Sequence, residues 1–156
     1  MSITSHTSPE VVTHAAIPMM AQVYVRLRHR LREVETQLDE LARVELMDGD
    51  GAERTARCQM LESQAASLRA IVEHALVVPI SARVIVGSTV HVRPEPDAPL
   101  ERYEIVLPTE SDPAARKVAF DSPIGRALLG REVGDRTMVE TPRGRRELRV
   151  MVVRHD

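Results

Sequence analysis

The chain has 156 residues, 43% of them hydrophobic and 28% charged, which suffices for one ordinary core plus an elongated appendage or for two small units. Phe120, Tyr24 and Tyr103 are the whole aromatic inventory, which excludes stacking platforms for bases or planar cofactors and leaves an aliphatic core. The net charge of -2, from 21 basic and 23 acidic residues, argues against duplex binding through a net positive field, leaves DNA only local basic stripes, and favours a protein partner.

Cys58 is the sole cysteine, so neither an intrachain disulfide nor a cysteine-based metal knuckle can form, as suits a reduced compartment. The six histidines show no ligand spacing, and no intrinsic metal site or cofactor is expected. The start of the chain lacks a basic stretch followed by an apolar core, and no long apolar run occurs after it, so a cytoplasmic protein without membrane contact is expected.

Residues 1–17 read as a polar, flexible segment, and Pro18 sits where a proline is tolerated in the first turn of a helix. Met20, Tyr24, Leu27, Leu31, Val34, Leu38 and Leu41 then recur in steps of four and three, the heptad seam of a long helix. Arg26, Arg28, Arg30 and Arg32 spread over its surface and read as a solvated face. Gly49 and Gly51, with Asp48 and Asp50, mark a reversal and a cap for a second helix. The seam of that helix runs through Cys58, Leu61, Ala65, Leu68, Val72 and Ala75. The two segments predict an antiparallel coiled-coil hairpin over 18–78, its first arm projecting roughly 40 Å at about 1.5 Å per residue.

From Val84 onward the period changes to two, and a second unit is expected over 84–156. Strands are predicted at 86–92, 103–107, 117–120, 137–141 and 147–153, with Pro94, Pro96 and Pro99 in a loop and Pro142-Arg143-Gly144 in a hairpin turn. Between the third and fourth strands, Ser122 as N-cap, Pro123 at the first helical position and Gly130 as C-terminal cap specify a two-turn helix. Its Ile124, Ala127, Leu128 and Leu129 are expected to fill the concave face of the sheet.

Val86-Gly87-Ser88-Thr89-Val90, the strand Tyr103-Glu104-Ile105-Val106, the run from Asp121-Ser122-Pro123-Ile124-Gly125-Arg126 to Gly130-Arg131, Gly134-Asp135 and Thr141-Pro142-Arg143-Gly144 occur in an order that closely resembles the C-terminal domain of the Gre transcription factors. With the hairpin in front, the resemblance covers nearly the whole chain. It implies an α+β fold: an antiparallel coiled-coil helical hairpin followed by an FKBP-like domain, a curved antiparallel sheet around a short helix. It also implies core RNA polymerase as partner, a monomer docked at the rim of the secondary channel through Asp121, Ser122, Pro123, Ile124 and Arg126, and contact with the RNA 3′ end. Prolyl isomerase activity is not expected, because an aromatic-lined pocket cannot be built from this inventory.

In the cleaving members of that family, two acidic side chains at the hairpin tip, within a Gly-Asp-Leu-x-Glu-Asn pattern, help hold the polymerase's second Mg²⁺. Hard carboxylate oxygens suit that hard cation. Here the nearest match is Gly49-Asp50-Gly51-Ala52-Glu53-Arg54, which keeps the Asp and the Glu but not the Leu or the Asn, with Asp48 as a third candidate. The same carboxylates are also ordinary turn and N-cap residues. The expectation is therefore a regulator without catalytic residues of its own, one that modulates or inhibits transcription without efficient cleavage. A genuine cleavage factor acting through Asp50 and Glu53, sharing the polymerase's Mg²⁺, and a coiled-coil adaptor or nucleoside diphosphate kinase regulator are the alternatives left open.

Overall fold

The structure, a computed structural model, describes residues 16–44 and 51–155; the expected reversal with Asp48 and Asp50 lies outside the described residues. Two helices of equal length, α1 (Ala21–Val44) and α2 (Gly51–His74), pack on each other as the heptads require. Leu27, Leu31 and Val34 of α1 are buried with Leu61, Ala65 and Leu68 of α2, while Tyr24, Leu38, Leu41 and Val72 border that seam half-buried. An ion pair from Arg69 Nη2 to Glu35 Oε1 at 2.9 Å crosses between the helices. Val23, absent from the expected seam, is fully buried because it faces the second unit at Gly87.

The root of the hairpin departs from the sequence reading. Pro18 does not open the helix; it lies in a short strand, β1 (Ile17–Met19), paired in parallel with β2 (Ala75–Val77), which also takes Ala75 out of the second helix. A proline suits such an edge because its missing N–H costs no ladder bond while its carbonyl still accepts. Here Pro18 O accepts from Val86 N at 2.9 Å, and Met20 N donates to Val86 O at 3.1 Å. Both arms are thereby hydrogen-bonded, directly or through β1, to the segment that leads into the sheet.

The sheet contains β3 (Thr89–Pro94), β4 (Glu101–Val106), β5 (Lys117–Ala119), β6 (Arg136–Thr141) and β7 (Gly144–Arg154), in the order β5-β4-β3-β7-β6. The α+β fold class stands, a helical hairpin followed by a curled sheet around a short helix, α3 (Pro123–Leu128). Two details differ. The expected strand from Val86 begins only at Thr89, because Gly87 turns the chain at φ +106°. The sheet is mixed, since β5 runs parallel to β4: the 3₁₀ turn Pro108–Glu110 and a turn capped by Asp112 carry the chain back before β5 starts.

Two aliphatic cores result. One holds the helix seam together with Met19, Met20, Ile85, Val86 and Leu107; the other holds Val90, Val92, Ile105, Val139, Leu148 and Val150 under Leu128. Ile124, Ala127 and Leu129 pack against the second, as the helix pattern requires, and Phe120 and Leu129 touch both.

Candidate functional site

The start of α3 is held by its own backbone chemistry. Ser122 accepts from Gly125 N at 3.1 Å and donates from its hydroxyl to Ala119 O at 2.6 Å, so one side chain both caps the helix and ties it to the end of β5. Gly125 is required because nothing larger fits: a Cβ there would lie 2.0 Å from Ala119 O. At the other end, Leu129 N donates to Gly125 O, and Gly130, at φ +80°, donates to Val84 O at 2.8 Å.

This geometry fixes where the expected docking residues stand. Asp121 and Pro123 are exposed, while Ser122 and Ile124 are half-buried. Ser122, Pro123 and Ile124 share a shallow groove of about 250 Å³ with Pro113, Val118 and Pro142, most of it apolar. Asp121 turns away into a larger groove of about 490 Å³ between the hairpin and the sheet, where Arg30, Ile71 and Phe120 are among its neighbours. Arg126 is exposed on α3 and lines neither groove. Four of the five residues are thus consecutive in the chain but divided between two surfaces, with Arg126 on neither. Lys117 and the loop between β6 and β7 complete the first groove, and sequence reading missed them because their proximity is tertiary.

At the hairpin end, Glu53 is exposed in the first turn of α2, where the helix dipole favours a carboxylate. Asp48 and Asp50 lie outside the described residues. Among the described residues, no group of three or more His, Cys, Asp or Glu is arranged to hold a metal ion, and no helix is long and apolar enough to cross a membrane.

A charged cluster that the sequence reading did not find lies on the inner side of the sheet. Tyr103 donates to Glu101 Oε2 at 2.7 Å, Arg146 donates to Glu101 Oε1 at 3.1 Å, and the Arg116 guanidinium stands 5.7 Å from the Tyr103 ring centre. Burial works to raise the Glu101 carboxyl, but the hydrogen bonds from Tyr103 and Arg146 and the charges of Arg146 and Arg116 outweigh it, so its pKa lies below the ordinary value. Burial and the Glu101 carboxylate push the Tyr103 phenol up. The signal available was the inward parity of Glu101 and Tyr103 in one strand, which did not reveal the arginines facing them.

With the architecture in hand, comparison with known proteins assigns the family. Residues 80–155 match the family described as the C-terminal domain of the transcription elongation factors GreA/GreB. The transcription elongation factor GreA of Desulfovibrio desulfuricans is 31% identical over 146 residues, covering 83% of this chain and 88% of its own. That of Shouchella clausii is 35% identical over 98 residues, 60% of this chain and 62% of its own. Among solved structures, GreA factor homolog 1 (Gfh1) of Thermus thermophilus is similar at 26% identity and a TM-score of 0.42, over 89% of this chain and 99% of that one. The chain belongs to the GreA/GreB family of transcription elongation factors.

One expectation is corrected by these relatives. The sequence reading took the chain to contribute no chemistry, yet the proteins it matches are named GreA, a transcript-cleavage-stimulating factor. The expectation had weighed the tip carboxylates as turn and cap residues. A turn or cap role does not exclude another: the carboxylate of Glu53, exposed in the first turn of α2, retains free lone pairs.

Proposed function

We propose that this chain is an RNA polymerase-associated elongation factor. It seats the surface around the start of α3, with Ser122, Pro123 and Ile124 at its centre and Asp121 and Arg126 at its margins, on the rim of the polymerase secondary channel. The hairpin passes inward as a monomeric rod beside the RNA 3′ end. Asp50 and Glu53 then supply hard oxygen ligands to the polymerase's second Mg²⁺ and stimulate cleavage of the transcript, with Asp48 as auxiliary. A rod that occupies the nucleotide passage also modulates transcription by its presence alone.

The observation that carries this reading is the pairing of a hydrogen-bonded hairpin root with a rigid, capped α3 start on the same small domain. A reaching element and a gripping element are held in one frame. Transcript shortening in stalled elongation complexes tests it, with wild type, Asp50→Ala and Glu53→Ala compared. Shortening by wild type that either substitution abolishes supports the carboxylate role. Inhibition of nucleotide addition without shortening leaves the docking and removes the cleavage. Failure of wild type to co-purify with core polymerase, with a Ser122/Pro123 double substitution as control, removes both and leaves the adaptor role.

A further inference from the structure

The outer face of the sheet carries an arrangement that folding alone disfavours. In adjacent strands, Arg93 of β3 pairs directly with Arg149 of β7, which pairs directly with Arg136 of β6. Strands about 4.8 Å apart place these three arginines in a rank roughly 10 Å long, and like charges directly opposite one another destabilise a sheet. Arg136 reaches Glu147 at 3.6 Å, but among the described residues Arg93 and Arg149 have no acidic partner. One rung away on the same face, His91 stands opposite Arg102 on one side and Val152 on the other, and its buried Nδ1 has no hydrogen-bond partner.

Apolar side chains flank the rank. Met138 is 54% exposed two residues along β6 from Arg136, and Val152 is 36% exposed beyond Arg149. This combination selects among polyanions. A phosphate backbone gains from the arginines but not from methionine or valine, and no aromatic ring is available here on which a base could stack. Carboxylates on a protein match the planar forks of arginine bidentately, and arginine and methionine beside exposed apolar surface are the composition of a protein interface.

We propose that this outer sheet face is a docking surface for an acidic protein segment, with Arg93, Arg149 and Arg136 taking its carboxylates and Met138 and Val152 its apolar side chains. Arg93, Arg149, Arg136, Met138 and Val152 line neither groove beside α3, although β6 also supplies Glu140 and Thr141 to one of them, and the proposal does not depend on the polymerase reading.

The test is fluorescence anisotropy on the full chain with a labelled peptide alternating Glu and Leu, beside its Gln-for-Glu counterpart and a labelled oligothymidine. Wild type binds the Glu peptide in a salt-sensitive manner, more tightly than the other two probes. The R93E/R149E variant loses about tenfold or more, as expected when paired charges are opposed across an interface. Arg149→Gln, a milder change, weakens binding in the same direction while the melting temperature holds or rises, because a like-charge contact is removed. Oligothymidine binding as tightly as the Glu peptide overturns the proposal in favour of nucleic acid. So does the absence of Glu-peptide binding by wild type, or a large fall in the Arg149→Gln melting temperature, which would make the rank a structural element.

Discussion

Replacing Gly87 by alanine tests the joint between hairpin and sheet. The added Cβ would stand 2.6 Å from Met20 Sδ and 2.9 Å from Val23 Cγ2, at a backbone φ of +106°. The methionine sulfur sits on a flexible stem and can swing aside; the valine is stiff about χ1 and cannot. Backbone strain at such a φ costs about 1–3 kcal/mol, and overpacking a fitted core costs a further ~1–3 kcal/mol. With Met20 yielding, the sum is about 2–4 kcal/mol. For a chain of this size that lowers the melting temperature by roughly 5–15 °C. Urea denaturation followed by far-UV circular dichroism measures the loss, and trimming Val23 in the same chain should recover part of it as a favourable coupling. An unchanged urea midpoint in Gly87→Ala would refute the close packing of helix root on sheet from which the estimate is built.

Leu27→Ala, at a fully buried seam position, should cost about 2–5 kcal/mol in the same denaturation assay. Ser122→Ala removes the cap at Gly125 N and the tie to Ala119 O and should cost about 0.5–2 kcal/mol; Ser122→Asp retains the capping acceptor and should recover part of that stability. If polymerase binding falls equally in both Ser122 variants, the hydroxyl is read by the partner as well as by the helix. Because the Glu101 pKa is lowered in the fold, its contribution to stability is present above the ordinary carboxylate range and is lost as pH falls through the folded value. Tyr103→Phe should flatten that acid-side loss, as judged by melting temperature against pH. The Tyr103 shift has the opposite sense: its raised pKa makes a contribution that is full below the ordinary phenol value and lost as pH climbs through the folded one, visible as a late phenolate absorbance in alkaline titration.

Much of this architecture was readable from local chemistry. The two heptad sets, the Ser122-Pro123 start and Gly130 end of α3, and the change to period two after Val84 are each set by a few neighbouring residues, and each recurs in the structure. What escaped depends on distant partners. Pro18 looked like a helix opener because its preference for a parallel bridge appears only once Ala75–Val77 and Val86 stand beside it. The parallel placement of β5 comes from a turn-rich connection whose direction no periodicity encodes. Within the candidate site, Asp121 and the residues Ser122 to Ile124 were found together in sequence, but their division between two grooves comes from the hairpin lying beside Phe120.

The short β1–β2–Val86 seam also sets the mechanics of the arm. A 24-residue helix extends about 36 Å, whereas the three-residue strands that anchor it span roughly 10 Å. With that leverage, a slip of about 1 Å at the anchor displaces the far end by roughly 3–4 Å. Load applied at the far end is correspondingly concentrated on Met19 and its neighbours. Phe120, packed against both cores one residue before Asp121, passes part of that load into the start of α3.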